Sequence, residues 1–335
     1  MKILLSFFYL YFLFVSILIG PLEFSCAANP ELILRYAGDL PIGNHLTRGQ
    51  EFFAKRVDEI TKGRVKIEVY PAGQLFTAKD YMKAIPSGAV DMAQCAVSQW
   101  SGLVPSITIL DLPFFYDGWP HMWRFLDSQG GETLFKELEK VGVKPLFWMQ
   151  DGSIGFATKT PLKKLDDFKG KRIRVFSELG AYTVKALGGG PTFMGGGEVY
   201  MALQRGTVDG GISSITSFVD RKYYEVTKYV TEPRFMFAVY TCLINLKKWD
   251  QLPADVQKML LSAAKETEEW GRKEVQKVEM EALEELRKKG MEIYSLPKEE
   301  KELWRKAACK PTEDIIIGIT GDLGKKLLEA AEKIR

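Results

Sequence analysis

The chain has 335 residues, 46% hydrophobic and 27% charged, a composition ordinary for a globular protein and long enough for two domains with separate cores. Its net charge of +3, with no concentrated basic patch among aromatics, excludes a nucleic-acid or membrane-surface role argued from charge. Only two histidines, His45 and His121, occur, and they stand far apart, so a histidine-based catalytic set is not supported.

Lys2 followed by an apolar run over 3–22 predicts a secretory signal peptide. Small residues at Ser25, Ala27 and Ala28 offer a cleavage site, so 1–28 is assigned to the signal. Two alternatives are an uncleaved anchor, since the run nearly spans a bilayer, and a lipid anchor on Cys26, against which Glu23 stands where a leucine-like residue is required. No other run is long enough to cross a membrane, so the mature protein is expected to be soluble. Cys95, Cys242 and Cys309 then remain, without CxxC spacing or a nearby histidine pair. One disulfide among them and three buried thiols both fit.

Residues 31–37 (ELILRYA) read as a strand, 44–62 as an amphipathic helix carrying Phe52, Phe53, Val57 and Ile60, and 64–70 as a second strand. This order is the unit of an α/β sheet, whose ligand sites gather at the carboxyl ends of strands. Loops 38–45 and 71–76 are therefore candidate pocket walls. Asn44 offers an amide to a ligand or caps the helix. A helix at 80–88 and a buried strand at 90–96 follow, and Trp100 beyond them either walls a pocket or caps the core. Residues 110–116 (LDLPFFY) read as an apolar turn made for packing.

Helices continue to 140, and 144–149 is a strand. At Gln150 the chain is expected to cross into a second domain, whose sheet starts with strands 154–158 and 173–176. Residues 224–232 read as a helix end, and 235–246 as a long strand returning to the first domain. The charged stretch 253–289 reads as one helix on the order of 50 Å long. It has no sustained heptad, so it suits a strut across both domains better than a coiled coil. A last strand and packing helices fill 291–335.

The most informative stretch is 167–211. A basic turn, Lys169-Gly170-Lys171-Arg172, leads into the alternating run Ile173-Arg174-Val175-Phe176. A helix to Leu187, a glycine-rich turn, a short helix from Glu198 and the turn at Val208-Asp209-Gly210 complete it. Arg174 stands inside the apolar run, which directs its guanidinium toward a cleft, where its fork of donors suits a carboxylate. Pairing with a structural Asp or Glu is the alternative.

These residues resemble the signature region of the solute-binding proteins of TRAP (tripartite ATP-independent periplasmic) transporters, the dicarboxylate-binding-protein family. The matching blocks are 167–175, Ala186-Leu187-Gly188 with Pro191, Glu198-Val199-Tyr200 with Ala202-Leu203-Gln204, Gly206, and Val208-Asp209-Gly210. Gly63-Arg64-Val65 through Leu75, and Leu110 through Phe115, match as well, in the family's order. The resemblance implies an α/β fold of two domains around a central ligand cleft, periplasmic binding protein-like, braced by a long domain-spanning helix. Domain I is assigned to 29–150 plus 240–279 and domain II to 151–239 plus 280–335. Arg174 would anchor the carboxylate of a small organic acid, and the domains would close on it. The closed form would deliver it in the periplasm to TRAP-type membrane permease subunits, with no nucleic acid involved and the receptor a monomer. Asn44, Trp100, Ser153, Phe176, Met194, Gly196 and Ser213 are the further ligand-binding candidates.

Three departures from the family pattern bear on the ligand. Ser213 stands where many relatives carry Asn, and Gly195 to Gly197 replace an aromatic residue. Ser153 or Ile154 stands where a second arginine is common. The missing donor argues against a tightly clamped dicarboxylate, and the missing ring points to a roomier pocket. A monocarboxylate with an apolar or hydroxylated body is expected. No Gly-x-Ser-x-Gly elbow, G-x-G-x-x-G fingerprint, Walker lysine or metal-ligand cluster is present, so no catalytic residue, metal or cofactor is assigned. A sensory binding protein serving a receptor kinase shares the fold and is the alternative; an exported enzyme is the third.

Overall fold

A computed structural model describes residues 30–335 apart from Pro233. The apolar amino-terminal run, Cys26 and the cleavage site lie outside the described residues. The strands are β1 (Leu32–Gly38), β2 (Val65–Tyr70), β3 (Met92–Ala96), β4 (Val143–Thr158), β5 (Arg172–Val175), β6 (Gly190–Phe193), β7 (Gly210–Ser214), β8 (Tyr229–Glu232), β9 (Phe237–Asn245) and β10 (Glu292–Ser295). The helices are α1 (His45–Thr61), α2 (Tyr81–Ser87), α3 (Trp119–Leu126), α4 (Gln129–Glu139), α5 (Glu178–Ala186), α6 (Val199–Arg205), α7 (Ile215–Asp220), α8 (Leu246–Asp250), α9 (Ala254–Lys288), α10 (Lys298–Thr320) and α11 (Asp322–Lys333). Among the described residues no helix is long and apolar enough to cross a membrane.

The strands run in the order β2-β1-β3-β9-β4-β7-β5-β6, with β8 beside β4 and β10 beside β8. Two lobes share this path through β4. Its first part, Val143 to Ser153, pairs antiparallel with β9, and its second part, Ile154 to Thr158, pairs antiparallel with β7. The sequence reading split this segment into two strands with a crossing at Gln150. The structure keeps it as one strand of 16 residues. The reason is a bulge between Gln150 and Gly152, where Gly152 has φ +149° and lets an extended backbone turn without ending.

Three further strands, β6, β7 and β8, escaped the sequence reading; β7 starts at Gly210, which was read as the close of a turn. β6 lies in the glycine-rich turn and pairs parallel with β5. It is an exposed edge, where Pro191 needs no ladder partner on its outer side. β8 occupies the end of 224–232, read as a helix end, and pairs with β4 and β10. Neither β6 nor β8 is long enough for period-two alternation to register.

The long helix α9 has 35 residues and braces both lobes. On the first lobe, Trp270 stacks on Phe52 at 5.4 Å and Arg56 reaches Glu266 at 2.7 Å. In its carboxy-terminal third, the buried Glu279 accepts from the Ser153 backbone N–H and from Trp119 Nε1, pinning the helix to β4. Its last turns bury Ala282, Leu283 and Leu286 in the second-lobe core with Phe218 and Val230.

The carboxy-terminal segment departs from its assignment to domain II. α10 starts on the second lobe, where Trp304 meets Phe156 and Phe168 edge-on. α11 packs on the first lobe instead: His121 Nε2 contacts the Ala331 carbonyl at 2.9 Å, and Arg335 donates to the Phe115 carbonyl. The sequence reading missed this because amphipathic helices carry no address for the surface they cover. Cys95, Cys242 and Cys309 are all free and buried. Cys95 faces Thr241 across the β3–β9 ladder while Cys242 faces Gln94, so the two thiols point to opposite sides of the sheet.

Candidate functional site

A cleft of about 760 Å³ opens between the lobes, lined by strand ends and the loops that follow them. The first lobe supplies Asp39 after β1, Ala72 and Gly73 after β2, and Gln99 after β3. The second lobe supplies Arg174 from β5 and Phe176 just after it, Met194 and Gly196 after β6, Ser213 from β7 and Arg221 after α7. The wall loops expected from the strand–helix–strand order, 38–45 and 71–76, both reach this cleft.

Arg174 is only 4% exposed, yet it lines the cleft. Its Nε donates to the Met194 carbonyl at 3.1 Å and its Nη1 to the Ile212 carbonyl at 2.9 Å. Among the described residues it has no carboxylate partner, which removes the structural ion pair as an alternative. Phe176 lies beside it, with the guanidinium carbon 5.6 Å from the ring centroid. Burial holds the Arg174 pKa below its ordinary value, but a guanidinium stays charged at any physiological pH. Two carbonyls set the plane of this buried, permanently charged fork.

Four of the other candidates, Phe176, Met194, Gly196 and Ser213, come together with Arg174 in this cleft. Three do not. Trp100 is fully buried and its Nε1 donates to Cys95 Sγ at 3.2 Å. The 3₁₀ turn Val97–Trp100 rotates the indole inward while Ser98 and Gln99 face the cleft. Asn44 spends both ends of its amide elsewhere: Oδ1 caps α1 by accepting from Leu46 N–H, and Nδ2 donates to Asp220 at 2.6 Å in a crevice apart from the cleft. Ser153 is buried in the ladder against Glu279, and its neighbours Asp151 and Ile154 line the cleft instead.

Sequence reasoning missed Arg221, Asp111 and Asp151. Arg221 lies so close over Gly196 that a Cβ there would stand 2.7 Å from the guanidinium carbon. The glycine run therefore makes room for this arginine. Asp111 ends the 3₁₀ turn Pro105–Asp111 and is 3% exposed. Burial alone pushes its carboxyl up to about 7. Asp39 is raised to about 6, chiefly by burial and against the pull of Arg221. Asp151 is raised by burial, against His45 and Ser214. An acid inside the apolar run LDLPFF was the available signal for Asp111. Arg221 gave none, since a basic residue at a helix end is ordinarily solvated. Among the described residues no cluster of three or more acids, histidines or cysteines is placed to hold a metal ion.

The family model for bacterial extracellular solute-binding protein, family 7, matches residues 40–317. The C4-dicarboxylate-binding periplasmic protein of Rhodobacter capsulatus is 30% identical over 271 residues, 80% of each chain. A TRAP periplasmic solute-binding protein from Sulfurospirillum deleyianum, solved with bound succinate, is 28% identical with a TM-score of 0.83, covering 91% of this chain and 100% of its own. One from Xanthobacter autotrophicus, solved with bound β-D-galacturonate, is 25% identical with a TM-score of 0.84, covering 90% of this chain and 100% of its own. The two-lobed fold, the cleft with its buried arginine and these matches agree: the chain belongs to family 7 of the bacterial extracellular solute-binding proteins, the receptors of TRAP transporters, and is not an enzyme.

Proposed function

We propose that this receptor binds a small organic acid in the interlobe cleft through Arg174 and hands it, in the periplasm, to the membrane permease of a TRAP transporter. The observation that carries the reading is the buried Arg174 guanidinium, fixed by two backbone carbonyls and, among the described residues, without an anionic partner at the cleft wall. Leaving such a charge unpaired is costly, and a ligand carboxylate relieves that cost. The succinate and galacturonate held by the relatives are both carboxylates, which supports the same chemistry. Phe176 and Met194 supply the apolar side of the pocket, and Gly196 and Ser213 supply backbone and hydroxyl contacts. Ligand bridging the lobes favours the closed form, which is the form a permease can distinguish from the empty one. The protein acts as a monomer in this reading.

A thermal-shift screen of the exported protein against carboxylates, amino acids and neutral sugars tests it. A ligand at about a hundred times its dissociation constant adds roughly 2.7 kcal/mol, several degrees for a chain of this size. Stabilisation by carboxylates that disappears in Arg174→Ala is expected. Stabilisation by neutral sugars alone would refute the role of Arg174.

A further inference from the structure

The cleft is not a uniformly basic site. Inside the exposed rim residues Lys79, Glu178 and Glu198, its second-lobe wall carries Arg174 and Arg221, whereas its first-lobe wall carries Asp39 and Asp111, with Asp151 on β4. Asp111 is 3% exposed and, among the described residues, has neither a hydrogen-bond donor nor a cation against its carboxylate. Asp39 Oδ1 and Gln99 Oε1 are likewise buried acceptors without partners. Buried polar atoms are almost always satisfied, so two open acceptors beside the buried Asp111 on one wall of a ligand cleft mark groups that the ligand satisfies. A second carboxylate placed there meets like charge, and a methylene chain leaves the acceptors stranded.

We propose that the ligand is a carboxylate that also bears hydrogen-bond donors, hydroxyl or ammonium, on the end that faces Asp39, Asp111 and Gln99. The inference rests on the acid-receptor reading and narrows it: simple dicarboxylates and purely apolar acids are excluded. The acid end then binds the second lobe and the donor end the first, so only a molecule with both ends ties the lobes together.

The test uses the exported protein, denatured and refolded to remove any carried-over ligand, with calorimetric titration of D-gluconate, D-galacturonate, 4-aminobutyrate, succinate, hexanoate and D-galactose. At least one of the first three is expected to bind, and more tightly than succinate or hexanoate. Asp111→Asn is expected to weaken an ammonium ligand at least about tenfold and a hydroxyl ligand only a few-fold, which separates the two sources of donors. Asp39→Asn is a second variant with the same expected direction. Arg174-dependent binding of succinate or hexanoate above all donor-bearing probes would overturn this inference while leaving the acid-receptor reading intact. Binding of galactose alone would overturn both. Silence from gluconate, galacturonate and 4-aminobutyrate at millimolar concentration also overturns the inference, as does unchanged affinity in both Asn variants.

Discussion

The two walls of the cleft meet burial with opposite chemistry. On the second lobe, Arg174 keeps its charge despite being 4% exposed, because a guanidinium has no accessible neutral form. On the first lobe, Asp111 and Asp39 answer the same desolvation by holding their protons to about 7 and about 6. One wall therefore makes an unconditional demand for an anion, and the other makes a demand that depends on pH. In the reading proposed above, fixed charge meets the acid end of the ligand and adjustable charge meets the rest of the molecule.

The most damaging test of this contrast is Arg174→Ala. Removing one partner of a buried charge pair costs about 2–5 kcal/mol, so acid affinity should fall about thirtyfold or more while the melting temperature holds. Arg174→Lys should also bind poorly, since an ammonium cannot reproduce the fork held by Met194 and Ile212. Equal affinity for the lysine variant, read by calorimetry, would remove the geometric half of the contrast.

The first-lobe wall is broken by Asp111→Asn, read by thermal unfolding across pH. The Asp111 pKa is raised in the folded state, to about 7, above its unfolded value near 4. Between those values the folded protein holds a proton that the unfolded chain releases, so this group's contribution to stability is full below pH 4 and is lost as pH rises through 7. The amide imitates the protonated acid. The variant should be more stable than the parent at pH 8 by about 4 kcal/mol, several degrees in melting temperature, and nearly equal to it at pH 4. A loss of stability at pH 8 would contradict the sign.

Gly196→Ala should have the smallest effect and sharpens the role of Arg221. The new methyl displaces a flexible guanidinium rather than backbone, so the melting temperature should stay within a degree or so. Affinity should fall by about tenfold or less as Arg221 moves from the wall. Unchanged affinity would assign Arg221 to the rim and not to the site.

What the sequence disclosed follows from what is local. Arg174 was legible because one charged residue interrupts a short apolar strand, and a strand's alternation says which way a side chain points. The strut α9 was legible from its length and charge pattern. The Gly38–His45 and Pro71–Phe76 loops were legible from strand order. Arg221, Asp39 and Asp111 converge from three separate segments, and no spacing encodes that convergence. Trp100 misled because a 3₁₀ turn has a different period from a strand, which swapped the side facing the cleft between Trp100 and Gln99. Ser153 misled because it sits in a ladder that the reading had broken at Gln150.

The continuity of β4 bears on how the chain assembles. Its halves belong to different lobes, and one apolar core reaches from Trp148 through Phe156 to Ile316 and Leu327. The first lobe also waits for β9 and for α11, the last helix of the chain, to dock beside His121. Neither lobe is therefore a folding unit that a nascent chain can complete early. Pairings between distant segments form slowly, so neither lobe is complete before β9 and α11 have been made. Calorimetry should show one cooperative transition, and limited proteolysis should release no stable half.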